Sequence, residues 1–116
     1  MELRSLQIHG VTVVGLRGDL DAAAAKQVQE RLTDLILADY VANGRARIVV
    51  DLGEVPYVDS SGLAAVITAM KQTRATGGDL KLCGLQDEIR SILEMTGLIT
   101  QIEVHADREA AIFSWP

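Results

Sequence analysis

The chain has 116 residues, of which 48% are hydrophobic and 3% aromatic, so it can fill one core with Leu, Ile, Val and Ala. We therefore expect a single domain over residues 1–116. Its 11 Lys and Arg against 16 Asp and Glu give a formal net charge of -5, the opposite of the basic surface that nucleic-acid binding needs. These values argue against nucleic acid as a direct partner.

The length of the apolar segments and the single cysteine predict the cellular compartment of the protein. No apolar run approaches the roughly 20 residues needed to cross a bilayer, and residues 1–4 lack the apolar segment of a signal peptide. The single cysteine, Cys83, cannot form an internal disulfide and lies in an alternating apolar segment. We expect a cytoplasmic protein with no membrane contact and with a buried, structural Cys83 thiol.

The first third of the chain predicts a hairpin followed by a helix. Residues 3–9 and 11–17 alternate in polarity as half-buried strands do, around a turn at His9-Gly10. Asp21 is the expected N-cap of a helix over about residues 22–38. The inward face of this helix is predicted to carry Val28, Leu32, Leu35 and Ile36.

The rest of the chain alternates strands and helices. Residues 48–52 form a short apolar run typical of a central strand that is buried on both faces. A helix is predicted from Ser60 to about Thr76, with Leu63, Val66, Ile67 and Met70 inward and Gly77-Gly78 as its stop. The later elements are predicted to be a strand at 80–83, a helix at 86–95, a short strand at 101–104, and a final helix capped by Asp107.

This order predicts an α/β fold with a mixed, mostly parallel sheet of four to five strands, flanked by about four helices. In such sheets, functional residues most often lie in the loops that leave the carboxyl ends of the central strands and lead into helices. Asp21 and Ser60 both occupy positions of that kind. We therefore expect them to lie at one edge of the sheet.

Signatures of catalysis and of metal or cofactor binding are missing from the sequence. His9 and His105 have no neighbouring residues at metal-ligand spacing and lie in no nucleophile motif, so we interpret them as surface or turn residues. Gly77-Gly78 lacks the Lys and the Ser or Thr of a P-loop, and it ends a helix rather than starting one. We expect neither an enzyme nor a resident cofactor or metal.

One polar cluster remains, Val58-Asp59-Ser60-Ser61-Gly62-Leu63, where a loop becomes a helix. On spacing alone it is most simply a helix cap, because Asp and Ser accept hydrogen bonds from the unpaired amides of a first turn. The functional alternative rests on two consecutive hydroxyls followed by a glycine, a first turn with little side-chain cover that a kinase could reach. Residue patterns by themselves leave both readings open.

Five segments together resemble the bacterial anti-sigma factor antagonists of the STAS family, in matching order and at comparable spacing. They are Gly18-Asp19-Leu20-Asp21, Val49-Val50-Asp51-Leu52, Asp59-Ser60-Ser61-Gly62-Leu63, Gly77-Gly78-Asp79-Leu80 and Met95-Thr96-Gly97-Leu98. The third of these looks like the phosphorylation motif of that family. The resemblance covers nearly the whole chain.

The resemblance implies a protein that regulates transcription by exchanging partners. Unphosphorylated, it would bind an ATP-dependent serine kinase of the GHKL type that is also an anti-sigma factor, which frees the sigma factor. The kinase would then phosphorylate Ser60 and weaken the complex, and a PP2C-type phosphatase would restore it. The implied partner-binding residues are Asp21, Asp59, Ser61, Gly62 and Leu63, with Asp21 helping to dock the kinase and Asp59 shaping the motif.

One departure from the family pattern and two other functions need to be weighed. Residues 39–46, between the first helix and the central strand, are a few residues longer than usual and are either a longer helix end or a surface loop. The main alternative function is a STAS subunit that never cycles through phosphate and regulates a transporter or another complex. A lower-ranked alternative is a module that binds a nucleotide or another small ligand.

Overall fold

The computed structural model describes all 116 residues. Its sheet has five strands in the order β1-β2-β3-β4-β5, and only the β1–β2 pair is antiparallel. The strands are β1 (Glu2–Ile8), β2 (Val11–Arg17), β3 (Arg47–Glu54), β4 (Asp79–Cys83) and β5 (Val104–His105). The predicted mixed, mostly parallel sheet is confirmed.

The hairpin forms where the sequence predicts it. His9 and Gly10 adopt φ angles of 52° and 76°, and two successive left-handed residues make the two-residue turn that matches the twist of antiparallel strands. Strand β3 is the middle strand, as its apolar run predicts. Its Ile48 and Val50 face one core, and Val49 faces the other.

Four α-helices cover the two faces of the sheet unequally: α1 (Ala22–Asn43), α2 (Ser60–Ala75), α3 (Asp87–Met95) and α4 (Arg108–Ile112). Helices α1, α2 and α3 contribute to the larger core, and α4 packs on the opposite face over Val13 and Cys83. None of these helices combines the length and the apolar character needed to cross a membrane.

The longer segment after the predicted first helix is a helix extension. Helix α1 continues to Asn43, and Gly44 ends it with a φ of 79°. Asp39 in this extension is only 2% exposed. Its carboxylate accepts hydrogen bonds from the Asn43 side-chain amide at 2.6 Å and from the Arg47 backbone N–H at 2.8 Å. The extension is therefore tied to the start of β3.

The sequence prediction was wrong in one detail and incomplete in another. The last strand is β5, at 104–105 rather than 101–104, because the chain turns at Gly97 (φ 76°) into a short 3-10 helix, Leu98–Thr100. The inward face of α2 is broader than predicted. Val66 and Met70 are buried, and Leu63 and Ile67 pack half-buried against the larger core. Several small residues are buried as well, and the full buried set is Gly62, Ala65, Val66, Ala69, Met70 and Thr73.

Cys83 is buried, as predicted, and its ionisation yields a testable pH dependence. Burial, followed by the charge of the Asp51 carboxylate, raises the pKa of this thiol to about 12. An unfolded chain releases the thiol proton near pH 8.5, so above that pH the unfolded state is favoured while the folded state keeps its proton. We expect the native protein to lose about 1 to 2 kcal/mol more stability between pH 8 and pH 10 than Cys83→Ala does.

Urea unfolding of both proteins at the two pH values measures this difference. Cys83→Ala changes no other ionisable side chain, so the difference between the two proteins isolates the thiol. Parallel pH profiles would show that the thiol does not carry the effect.

Candidate functional site

The site is built where two loops leave the carboxyl ends of β2 and β3. The loops run side by side: the Gly18 N–H donates to Glu54 O at 3.0 Å, and the Leu20 N–H donates to Tyr57 O at 2.9 Å. Leu20 and Val58 form an isolated parallel bridge, which continues the pairing beyond the strands. These bonds place the start of α1 beside the start of α2.

Asp59 connects the two helix starts with one carboxylate. Its Oδ1 accepts a hydrogen bond from the Gly62 N–H at 2.9 Å, which makes it the N-cap of α2. Its Oδ2 accepts another from the Ala22 N–H at 3.0 Å, in the first turn of α1. Both helices therefore direct an otherwise unpaired amide at the same carboxylate.

Asp21 caps α1 independently, as predicted. Its Oδ1 accepts a hydrogen bond from the Ala24 N–H at 3.1 Å, and its side chain is half-buried. Asp21 and Ser60, which directly follows Asp59, thus lie at the same edge of the sheet, as expected from the sequence. Asp21 and Asp59 are both acceptors that stabilise helix ends, and a carboxylate near a helix N-terminus is favoured by the helix dipole.

Ser60 is not the helix cap that residue spacing alone favoured. Because Asp59 occupies that position, Ser60 is the first residue of α2. Ser60 and Ser61 are both exposed, and neither hydroxyl has a hydrogen-bond partner within the chain. The motif therefore presents two free hydroxyls at the start of a helix.

Gly62 contributes close packing rather than an open backbone. It is buried, and a Cβ at this position would lie 2.0 Å from Leu20 O and 2.8 Å from Leu20 Cγ. The expectation that this glycine leaves the first turn uncovered was therefore wrong, since Leu20 covers it. Only a residue without a side chain lets the two loops approach this closely, and Gly62 is not available for direct contact with a partner.

Two grooves flank the exposed serines, one on each side of α2. A polar groove of about 580 Å³ between α1 and α2 includes Ser61 and is lined by Ala22, Ala25, Lys26, Gln29, Glu30, Thr33, Asp34 and Ser61. A more apolar groove of about 390 Å³ includes Ser60 and is lined by Ser60, Leu63, Ala64, Ile67, Met70, Lys71, Thr96, Leu98 and Gln101. Leu63, predicted to bind a partner, belongs to the second groove.

Sequence reasoning missed several residues of this site. Leu20, which covers Gly62, is an ordinary apolar residue in the sequence, and Leu98 and Gln101 reach the second groove from far along the chain. Leu20 and Leu98 lie in segments that resemble the family, but no local pattern predicts that these three residues contribute to the site. For the segment Met95-Thr96-Gly97-Leu98, the sequence predicts only the end of a helix at Gly97.

The histidines lie apart from this site. His9 is exposed in the hairpin turn, with its ring centroid 5.5 Å from that of Phe113. His105 is half-buried, and its Nε2 lies 2.9 Å from Glu103 Oε1. Burial alone would raise the pKa of Glu103, but hydrogen bonds from Lys81 and His105 outweigh it and hold that pKa below its usual value. The chain places no group of three or more His, Cys, Asp or Glu side chains where they could hold a metal ion.

Comparison with known proteins gives relatives over almost the full length of the chain. A protein of Bordetella bronchiseptica that carries the provisional name anti-sigma factor antagonist BtrV is 35% identical over 111 residues, which are 96% of this chain and 91% of the relative. The anti-sigma-B factor antagonist of Bacillus subtilis is 29% identical over 99 residues, 85% of each chain.

Solved structures share the fold at lower identity. A provisionally named anti-sigma factor antagonist from Thermotoga maritima superimposes with a TM-score of 0.87 at 17% identity, over 97% of this chain and 92% of the other. The Bacillus cell fate determinant SpoIIAA in its phosphorylated form gives a TM-score of 0.72 at 22% identity, over 99% and 100%. Residues 2–111 match the family model described as the STAS domain. The chain therefore belongs to the STAS domain family.

Proposed function

We propose that this chain is an anti-sigma factor antagonist that regulates transcription and whose binding is controlled by phosphorylation of Ser60. The observation that carries the proposal is the free, exposed hydroxyl of Ser60 at the start of α2, next to a carboxylate that already caps the helix. The names of the curated relatives support the same class of regulator. The proposed partner is an anti-sigma factor.

The geometry supports a phosphate that leaves the fold intact. The Gly62 and Ala22 amides are already bonded to Asp59, so a phosphate on Ser60 need not displace them or rearrange either helix. A phosphoserine adds about -1.5 to -2 charges at pH 7, which the dipole of a helix N-terminus tolerates. The added charge would therefore act on the docking surface of the protein.

The charges around Ser60 favour weaker binding after phosphorylation. Asp21 and Asp59 lie at the same edge, so the phosphate would add to an existing negative surface and repel an anionic or apolar partner. A loss of about 3 kcal/mol weakens binding by more than a hundredfold. In this cycle a GHKL-type serine kinase anti-sigma factor in the cytoplasm binds the protein and phosphorylates Ser60. A PP2C-type phosphatase then removes the phosphate and restores binding. Asp21 helps dock the kinase, and Ser61 is a neighbour of the acceptor.

Three substitutions test the proposal with the cognate serine kinase anti-sigma factor and ATP. We expect Ser60→Ala to bind persistently and to take up no phosphate. Ser60→Asp is expected to bind at least about tenfold more weakly because it adds negative charge to the docking surface. Ser61→Ala, a matched change at the neighbouring exposed hydroxyl, is expected to be phosphorylated at Ser60 as the native protein is.

Isothermal titration calorimetry gives the affinities, peptide mass spectrometry locates the phosphate, and circular dichroism checks that all the variants are folded. Phosphate on a residue other than Ser60 would contradict the proposal. Equal binding by Ser60→Ala and Ser60→Asp would favour a STAS subunit that does not cycle through phosphate.

A further inference from the structure

Three of the seven large hydrophobic residues that the domain leaves exposed lie within five positions of α1. They are Leu37, Tyr40 and Val41, with exposed fractions of 59%, 46% and 77%, and together they are called the α1 patch. Leu37 and Val41 are four positions apart, so they form one ridge along the helix. Tyr40 follows Thr33 by two turns, and the Thr33 hydroxyl donates to Gln72 Oε1 of α2 at 3.0 Å, so Tyr40 lies on the flank toward α2.

The helix beneath the α1 patch is fixed to the domain. Leu32 and Ile36 are buried on its opposite side, where they contribute to the larger core. Asp39 is also buried there, and it accepts hydrogen bonds from the Asn43 amide and from the Arg47 N–H at the start of β3. The α1 patch cannot turn inward without breaking these contacts, so its apolar side chains stay in solvent unless another molecule covers them.

The α1 patch lies far from the serines of α2. The Ala22 amide at the start of α1 bonds to Asp59, and Leu37 follows fifteen positions later. At 1.5 Å per residue, that is about 22 Å along the helix axis. A molecule bound to the α1 patch therefore leaves the edge that contains Ser60 open.

Two unpaired charges of opposite sign flank the α1 patch. Asp34 lies one turn before Leu37. Arg45 lies one turn after Val41, just beyond the end of the helix. Both charged residues are exposed, and neither forms an ion pair within the chain. A molecule that covers the ridge would therefore meet a negative charge at one end and a positive charge at the other.

We propose that the α1 patch is the interface of a weak homodimer in which two copies of α1 pack antiparallel. A two-fold axis near position 39 places Leu37 of each copy against Val41 of the other. The same axis brings Asp34 of each copy beside Arg45 of the other, so the patch supplies both halves of its own complement. A parallel arrangement would set like charges against each other. The two flanking charges therefore favour a second copy of this chain and fix its orientation.

The size of the α1 patch and the net charge of the chain set the strength of the dimer. A single helix pair covers less than the roughly 800 Å² per partner that a stable interface needs, so we expect a dissociation constant on the order of 100 μM. Each copy also has a formal net charge of -5, which opposes association. At 0.15 M salt, exposed charges more than about 8 Å apart are largely screened, whereas the flanking pairs act at contact distance. Local attraction therefore outweighs the long-range repulsion.

Sedimentation equilibrium of the native protein and four variants, from about 10 to about 500 μM, tests the inference. Leu37→Gln/Val41→Gln, the ridge variant, removes apolar surface without adding charge. Met95→Gln makes the same kind of change at a residue outside the patch that is 85% exposed. Asp34→Arg turns both interchain pairs into repulsions, and Asp34→Arg/Arg45→Asp, the exchange variant, restores them with reversed signs. Urea unfolding checks that each variant is folded, which we expect because all the altered residues are exposed.

We expect Met95→Gln to dimerise within about twofold of the native protein and the ridge variant to do so at least about tenfold more weakly. Asp34→Arg is expected to weaken the dimer at least about threefold, and the exchange variant to recover to within about twofold of the native protein. A native protein that stays monomeric at about 500 μM overturns the inference. A native dimer that the ridge variant leaves intact overturns it as well, because the interface is then elsewhere. If Asp34→Arg weakens the dimer and the exchange variant does not recover, the antiparallel pairing is wrong and the inference fails.

Discussion

Gly62→Ala is expected to destabilise the folded domain by at least about 3 kcal/mol, a large effect for the addition of one methyl group. The new Cβ would lie 2.0 Å from Leu20 O, a backbone atom that cannot rotate away. Relief requires the β2–α1 loop to move, and the bonds from the Leu20 N–H to Tyr57 O and from the Asp59 N–H to Leu20 O move with it. The substitution therefore weakens the hydrogen bonds between the two loops that position the starts of α1 and α2.

Urea unfolding followed by Trp115 fluorescence measures this loss, because the only tryptophan lies with its ring centroid 4.0 Å from the buried Lys81 Nζ and changes environment on unfolding. Ser61→Ala serves as the control, since it changes an exposed side chain one position away and should stay within about 0.5 kcal/mol of the native protein. If Gly62→Ala and Ser61→Ala unfold at similar urea concentrations, the loop moves without loss of stability and the prediction is wrong.

Asp59→Ala is expected to cost about 2 to 4 kcal/mol, more than the loss of an ordinary helix cap. An N-cap contributes about 0.5 to 2 kcal/mol, and a hydrogen bond to a charged group about 1.5 to 3 kcal/mol. Asp59 accepts two such bonds, from the Gly62 and Ala22 amides, which belong to different helices. Removing the carboxylate leaves one first-turn amide of each helix without its partner.

Two comparisons isolate the double role of Asp59. Asp21→Ala removes a single capping bond, to the Ala24 amide, and should cost about 1 kcal/mol. Asp59→Asn keeps one carbonyl acceptor and should fall between the native protein and Asp59→Ala. Urea midpoints give the energies, and hydrogen exchange should accelerate at both the Ala22 and the Gly62 amides in Asp59→Ala. Acceleration at Gly62 alone would show that the bond to α1 contributes nothing.

The local features of the site could be read from the sequence because they depend on neighbours in the chain. Asp21 and Asp59 each accept from the amide three residues ahead, which is the spacing that capping rules describe. The hairpin at His9-Gly10 follows from backbone angles that favour particular residues. Even so, the sequence named Ser60 as a cap candidate, and the structure assigns that position to Asp59.

Features that join distant segments could not be read in this way. The bond from the Ala22 amide to Asp59 spans 37 positions, and the close contact of Gly62 with Leu20 depends on how two loops meet. The length of α1 was left open between a helix and a loop, because the bonds from Asp39 to Asn43 and Arg47 form only when the helix end reaches β3.

The element order, the mostly parallel sheet, the capped helix starts and the motif that contains Ser60 therefore follow from local sequence patterns. Periodicity and capping are properties of short segments, and they persist wherever those segments come to lie. The contact between Gly62 and Leu20 and the apolar groove that begins at Ser60 arise only when the chain folds. Those outcomes depend on the packing of surfaces far apart in the chain, and that packing leaves Leu63 and Ile67 half-buried against the larger core.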